Sequence, residues 1–131
     1  MTAKSRASKD DVTNWVVTAA RAADAKNGAD TLILEVGTVL AITDYFVITS
    51  ASNTRLVKTL TDEVEEAVRN AGGPSPLRRE GLDDLRWVLL DYGDFVLHVF
   101  LDEARSFYEL ERLWRDVPRI EWRDADEPAR R

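Results

Sequence analysis

The sequence predicts one α+β domain with the element order α-β-β-α-β-β-α, in which helices pack on one face of a mixed sheet. Helix-period segments alternate with short β-branched and aromatic runs, and glycine-containing breaks separate them. A length of 131 residues, with 44% hydrophobic and 32% charged residues, suits one buried core. The domain is expected to span residues 10–118, between a flexible segment at 1–9 and a frayed polar tail at 119–131.

The first part of the chain predicts a helix followed by two strands. The helix is expected to begin at residues 10–11, where carboxylates favour a helix start, and to end at the Asn-Gly break at 27–28. Its expected apolar stripe consists of Trp15, Ala19, Ala22 and Ala23. Residues 31–36 (TLILEV) and 45–50 (YFVITS) are rich in β-branched and aromatic residues and are predicted to be strands.

A second helix is predicted after Ser52 or Asn53, either of which provides an N-cap side chain. Its expected buried face consists of Leu56, Val57, Leu60, Val64 and Val68. The glycine- and proline-rich segment 72–81 (GGPSPLRREG) is interpreted as a loop. After a hairpin, Asp102 is expected to cap a last helix, whose core residues are Phe107, Leu110 and Trp114.

Residues 86–100 (RWVLLDYGDFVLHVF) predict a β-hairpin, because two apolar runs flank a turn at Tyr92-Gly93. A two-residue turn predicts three cross-strand pairs, which are Asp91–Asp94, Leu89–Val96 and Trp87–His98. Successive strand residues point to opposite faces. One face, here called the dry face, therefore consists of Val88, Leu90, Phe95, Leu97 and Val99. It is expected to lie against the helices.

The opposite face of the hairpin, here called the mixed face, combines large apolar groups with acids and the only histidine. It consists of Leu85, Trp87, Leu89, Asp91, Asp94, Val96, His98 and Phe100. An apolar patch with an acidic rim is typical of a protein-interaction surface. The alternative is that an early or late segment of the chain covers this face.

Charge and composition narrow the function classes. The net charge of −6 argues against a general nucleic-acid binder, which would carry a basic face. Residues 80–114 hold nine carboxylates against three arginines, which suits a basic partner or a solvated acidic surface. The absence of cysteine excludes thiolate metal sites, and a single histidine excludes a multi-histidine site. No apolar run reaches the ~20 residues of a membrane span or forms a signal peptide, which predicts a cytoplasmic protein.

Three blocks of the sequence carry a family resemblance. They are TDYFVITSASNTR (43–55), EGLDDLRWVLLDYGDFVLHVF (80–100), with the pattern W-x-x-x-D-Y-G-D-x-x-x-H-x-F, and RSFYELERLW (105–114). Together they resemble the ribosome silencing factor family, RsfS, also called Iojap-like. The resemblance implies a nucleotidyltransferase-like fold without catalytic motifs and without a cofactor or metal. It also implies binding to the large ribosomal subunit through ribosomal protein uL-fourteen, which blocks joining of the small subunit when nutrients are scarce.

The residues expected to bind the partner come from the hairpin and the last helix. They are Trp87, Leu89, Asp91, Tyr92, Asp94, His98, Phe100, Tyr108 and Glu111. Two other interpretations stay open. In the first, Asp91 and Asp94 hold the metal of a nucleotidyltransferase-like enzyme, although no Asp-x-Asp pair follows Gly37-Thr38 within the predicted domain. In the second, the open face or an edge strand forms a homodimer.

Overall fold

The structure is a computed structural model that describes residues 7–123, which form a mixed sheet flanked by helices. The strands are β1 Ala29–Leu34, β2 Tyr45–Ala51, β3 Arg78–Glu80, β4 Trp87–Asp91 and β5 Phe95–Leu101. The helices are α1 Lys9–Ala25, α2 Thr54–Asn70, α3 Asp102–Tyr108 and α4 Leu110–Leu113. The predicted α+β class is confirmed, with one strand more than predicted and with the last helix in two pieces.

The sheet has the order β1-β2-β5-β4-β3. Its two most buried strands, β2 and β5, are neighbours and pair in parallel. All other neighbouring strands are antiparallel. A parallel pair needs a crossover connection, and the segment between β2 and β5 contains α2, β3 and β4. Within residues 7–123, no helix has the length and apolar character needed to cross a membrane.

The first helix is capped by Ser8, whose Oγ accepts a hydrogen bond from the Asp11 backbone N–H at 3.0 Å. Its buried stripe consists of Val12, Val16, Ala19, Ala20 and Ala23. Trp15 and Ala22, which the predicted stripe includes, are half-buried at its border. The helical face that meets the sheet is therefore rotated slightly from the predicted one.

The second helix agrees with the prediction. Asn53 provides the N-cap, since its side-chain oxygen accepts a hydrogen bond from the Leu56 N–H at 2.8 Å. The buried residues of the helix are Val57, Leu60, Thr61, Val64 and Val68, while Leu56 is half-buried. These side chains join those of α1 in one core on a single face of the sheet.

The strand parity predicted for the β4–β5 hairpin is confirmed. Every dry-face residue has 0% exposure and belongs to the core beneath α1 and α2. These residues are Val88, Leu90, Phe95, Leu97 and Val99. The dry face therefore lies against the two long helices, as expected.

The predicted register of the same hairpin is wrong. The observed cross-strand pairs are Asp91–Val96, Leu89–His98 and Trp87–Phe100. The turn is centred on Gly93-Asp94, and the Tyr92 N–H donates to the Phe95 carbonyl at 2.9 Å. Gly93 has φ +88° at the first central position, which is where a type II′ turn favours glycine.

The segment 72–81 is not entirely a loop, because β3 lies within it and pairs with β4 at the edge of the sheet. The sequence conceals this strand, since its residues are all charged and have low β propensity. Arg78 forms an ion pair with Asp91, and Arg79 forms one with Glu65. Charges on a short edge strand also discourage pairing with another chain.

The last helix breaks at Glu109, which has φ +49°, and this break separates α3 from α4. Asp102 is the first residue of α3 rather than its N-cap. Leu110 and Trp114 pack against the sheet but are only half-buried. The prediction that Phe107 is buried is wrong, since its side chain is 79% exposed. The break interrupts the helical periodicity on which that prediction depends.

The chain is not frayed directly after residue 118, contrary to the expectation for 119–131. Trp122 is buried, and its Nε1 donates a hydrogen bond to the Thr31 carbonyl at 3.1 Å. Arg119 forms an antiparallel bridge with Leu34. Residues as far as 123 therefore cover the outer edge of β1.

The flexible segment expected at residues 1–9 falls mostly outside the described residues, which begin at Ala7. Lys9, the last residue of that segment, is already helical. Residues 124–131 of the expected tail likewise lie outside the described part of the chain.

We expect Leu90→Ala to lower the free energy of unfolding by about 2–5 kcal/mol, because Leu90 has 0% exposure and its truncation leaves a cavity. Leu77→Ala is the matched control, since Leu77 is 73% exposed and its truncation should cost less than about 0.5 kcal/mol. Chemical denaturation followed by circular dichroism measures both values. Equal stabilities of the two variants would contradict the assignment of the dry face to the core.

Candidate partner-binding surface

The mixed face is partly covered by α3, α4 and the residues that follow them. Beneath this cover lies a second core cluster, whose buried members are Leu34, Val36, Phe46, Ile48, Val96, Phe100 and Ala104. Leu110, Trp114 and Val117 pack against the cluster. The alternative in which a late segment covers the mixed face is thus correct for most of β5. The two long helices pack on one face as predicted, while the two short ones lie on the other.

Trp87 is half-buried and is in contact with three other rings. Its ring centroid lies 4.7 Å from that of Phe100 and 4.9 Å from that of Tyr108. Its Nε1 donates a hydrogen bond to His98 Nδ1 at 3.1 Å. Trp87 pairs with Phe100 across the hairpin, so His98 is its diagonal neighbour on the same face.

His98 is buried, with 4% exposure, against the rings of Phe46 and Phe100. Burial lowers the pKa of its imidazole from 6.5 to about 3, because apolar surroundings disfavour the charged form. The ring is therefore neutral, and since Nδ1 accepts the bond from Trp87, the proton is on Nε2. This Nε2 has no hydrogen-bond partner among residues 7–123.

Tyr92 and Leu85 lie on the side of the sheet that faces the long helices. Tyr92 stacks on Phe95 with 4.4 Å between ring centroids, and burial raises the pKa of its phenol. With only 4% exposure, the Tyr92 side chain is shielded from solvent, and it lies on the opposite side of the sheet from the mixed face. Leu85 has φ +58° and packs against the core of the long helices, so its assignment to the mixed face is wrong. A left-handed residue interrupts the alternation on which that assignment depends.

Asp91 is engaged in local structure. Its Oδ1 accepts a hydrogen bond from the Gly93 N–H at 2.9 Å, which fixes the turn. Its Oδ2 pairs with Arg78 at 3.0 Å, which ties the edge strand β3 to β4. Both carboxylate oxygens therefore have partners within the hairpin and its neighbour.

Asp94 lines a cleft of about 420 Å³ that also contains Glu35, Asp44 and the Gly37-Thr38 pair. The fold thus brings Asp94, which is distant in sequence, close to the Gly37-Thr38 pair and its neighbours Glu35 and Asp44, whereas Asp91 does not line this cleft. Within residues 7–123, no group of three or more histidine, aspartate or glutamate side chains is arranged to hold a metal ion.

Apolar side chains remain accessible where the short helices meet the hairpin. Trp87 and Leu89 line one groove, and Tyr108 and Leu113 line a depression next to it. Tyr108 links the two, because it lines the depression and its ring contacts Trp87 of the groove. Its ring also contacts the exposed Phe107. We call these residues the apolar strip: Trp87, Leu89, Phe107, Tyr108 and Leu113. Accessible apolar side chains that lie next to one another are typical of interaction surfaces in general.

Arg105, which sequence reasoning did not single out, anchors the helix that presents this strip. Its guanidinium donates to the carbonyls of Ala29 and Asp30 at 3.1 and 2.8 Å and to Ser50 Oγ at 3.0 Å. Its Nε donates to Glu111 Oε2 at 3.1 Å, so this carboxylate oxygen is turned toward the protein itself. No spacing in the sequence signals the role, since most of the acceptors belong to distant segments.

These features define the protein class: an α+β protein with an accessible strip of apolar side chains. A family model described as "Ribosomal silencing factor during starvation" matches residues 9–131. The ribosomal silencing factor RsfS of Bacillus subtilis is 38% identical over 100 residues, which cover 76% of this chain and 84% of the relative. The crystal structure of a Chromobacterium violaceum protein is similar with a TM-score of 0.75 and 28% identity, covering 79% of this chain and 86% of that one. The chain belongs to the ribosomal silencing factor family.

A eukaryotic relative extends the comparison. The mouse protein named "Mitochondrial assembly of ribosomal large subunit protein 1" is 33% identical over 91 residues, which cover 68% of this chain and 40% of the mouse protein. The family resemblance carried by residues 43–55, 80–100 and 105–114 is thus confirmed, and the family name describes a regulatory role in translation.

The buried imidazole predicts a pH dependence of stability. In the unfolded chain His98 takes up a proton near pH 6.5, whereas in the folded protein it stays neutral down to about pH 3. Between these values the unfolded state binds more protons, so a falling pH favours unfolding. The free energy of unfolding should fall by about 1 kcal/mol from pH 7.5 to pH 5.5, which denaturant titrations at each pH measure.

The control for this prediction is His98→Asn, which removes the only histidine of the chain. Histidine is the only type of side chain whose ordinary pKa lies within this pH window, so the slope should be lost in the variant. The same slope in both proteins would show that His98 is not the group responsible.

Proposed function

We propose that this protein binds the large ribosomal subunit through ribosomal protein uL-fourteen and blocks joining of the small subunit, which represses translation under nutrient limitation. Membership of the ribosomal silencing factor family supports the general role. The name of the mouse relative supports the choice of the large subunit. The specific partner is the one that the family resemblance implies.

The apolar strip is the observation that carries the proposal. Tryptophan and tyrosine are the residues most often responsible for binding energy at interfaces, and here they lie side by side at 4.9 Å between Trp87 and Tyr108. Tyr108 is 51% exposed, while Trp87 is half-buried and already held by its neighbours. Side chains ordered before binding lose little conformational entropy when the partner arrives.

Charge complements the apolar contact. Ribosomal proteins are typically basic, so a net charge of −6 steers this protein toward them and away from exposed RNA phosphates. Glu80 lines the groove of the strip, whereas the adjoining depression carries both signs of charge, with Asp116 next to Arg115. Arg112 in the same depression is neutralised by Glu109 at 2.8 Å.

The expected partner-binding residues divide by accessibility. Trp87, Leu89 and Tyr108 contact the partner directly, together with Phe107 and Leu113 of the strip. The buried or locally bonded residues of the mixed face and of α4 shape the surface from within: His98, Phe100, Asp91 and Glu111. Tyr92 lies on the opposite side of the sheet, in the core beneath the long helices. Asp94 lies at the separate cleft beside Gly37.

Binding of this kind acts by steric exclusion and requires no catalysis, no cofactor and no metal. A nanomolar site corresponds to roughly 12 kcal/mol, which an interface of ordinary size supplies.

The cytoplasm is the proposed location. The free protein is proposed to form a homodimer when its apolar strip has no other partner, since such a surface favours self-association.

The first test concerns Trp87. We expect Trp87→Ala to reduce the free energy of binding to purified large ribosomal subunits by about 2 kcal/mol, because it removes the central ring of the strip. Co-sedimentation over a range of subunit concentrations measures the affinity. Trp15→Ala is the matched control, since Trp15 is also half-buried but packs against the core on the α1 side. Wild-type protein that fails to sediment with large subunits at low salt would refute the proposed partner.

The second test concerns the mechanism. Steric exclusion predicts that the protein inhibits association of purified subunits stoichiometrically, with full effect near one copy per large subunit. Light scattering measures the association, with and without a metal chelator. Inhibition should persist in the chelator and should be weak on subunits that are already joined. Chelator-sensitive inactivation at substoichiometric amounts would instead favour the enzyme interpretation, with the cleft around Asp94 as its site.

A further inference from the structure

The hydrogen bond between Trp87 and His98 is the only directional contact that the structure shows for the Trp87 side chain. Nε1 is the only polar atom of an indole, and it donates to His98 Nδ1 at 3.1 Å. The contacts with Phe100 and Tyr108 are tilted ring contacts, with interplanar angles of 31° and 47°. Apolar ring contacts of this kind favour burial but tolerate several orientations, whereas a hydrogen bond selects one.

His98 is an unexpected residue for the position it occupies. Its surroundings are the rings of Phe46, Phe100 and Trp87, and its Nε2 is buried without a partner among residues 7–123. A buried donor without an acceptor destabilises a folded protein. Leucine or methionine would fill a similar volume without that cost. Unlike leucine and methionine, however, histidine provides a nitrogen acceptor for the indole N–H of Trp87.

We propose that His98 is a positioning residue, which accepts the hydrogen bond of Trp87 and thereby holds the indole in the orientation that contacts the large ribosomal subunit. His98 itself is buried and does not touch the partner. The inference rests on the proposed function, because it takes the apolar strip as the binding surface. Rotation of the indole would separate the Trp87–Leu89 groove from Tyr108 and so divide the strip.

Two substitutions of His98 separate positioning from packing. His98→Leu introduces an apolar side chain of similar volume and removes the acceptor, whereas His98→Asn keeps an acceptor oxygen close to the place of Nδ1. We expect His98→Leu to bind purified large ribosomal subunits roughly tenfold more weakly. Its resistance to denaturant should change little, because the variant loses the unpaired Nε2 donor but leaves the Trp87 N–H without an acceptor. His98→Asn should retain most of the affinity. A His98→Leu variant with wild-type affinity would overturn the proposal.

A double-mutant cycle tests whether the two side chains act together. Trp87→Phe removes the donor, so the acceptor has nothing left to position. The double variant Trp87→Phe, His98→Leu should therefore bind no more weakly than Trp87→Phe alone. Losses that add up would show that His98 affects binding independently of Trp87, which contradicts the proposal.

The free protein provides a measurement that does not depend on the ribosome. The NMR resonance of the Trp87 indole N–H can be assigned by its loss in Trp87→Phe. In His98→Leu the chemical shift of this resonance should change, and the indole proton should exchange faster with solvent. It should stay near its wild-type position in His98→Asn. An unchanged Trp87 resonance in His98→Leu overturns the inference, even where large subunits bind as proposed. Failure of wild-type protein to bind large subunits refutes the proposed function separately, whatever the resonance shows.

Discussion

The parallel pairing of β2 with β5 is the constraint on which the rest of the structure depends. The two strands pair in unbroken register from Tyr45–Phe95 to Ala51–Leu101. Parallel strands are stable when both faces of the sheet are covered. Every residue of β2 is buried, and so is all of β5 except its last residue. The chain therefore needs helices on both sides, whereas the sequence predicts helices on one face only.

The second cover is short, and this explains why the protein has an accessible apolar surface. α3 and α4 have seven and four residues, and a left-handed residue separates them. They bury Phe100 and Val96 on the central strand but extend only partly over β4. Trp87 and Leu89 consequently remain half-buried beside the exposed side chains of the short helices. The shortness of these two helices thus leaves the apolar strip accessible.

Two buried polar side chains support this surface from below. Arg105 holds α3 against carbonyl groups at the start of β1, and His98 holds the indole of Trp87. Helices this short are unstable by themselves, so tertiary bonds must keep them in place. A core made only of apolar side chains would contain no buried hydrogen-bond donor without a partner, such as His98 Nε2. Departures from simple packing at such places are expected where function requires a defined geometry.

The sequence by itself determined the features that depend on consecutive residues. The second helix with its Asn53 cap, the strand at Tyr45 and the dry face around Leu90 all follow from local periodicity and capping, and the structure agrees with each. The three blocks at residues 43–55, 80–100 and 105–114 together likewise identified the family. Only the tertiary structure decided the hairpin register, the β3 strand, the exposure of Phe107 and the partial cover of the mixed face. The physical reason is that these features depend on contacts between distant segments, as in the bonds from Arg105 to Ala29 and Ser50, and periodicity along the chain does not encode such contacts.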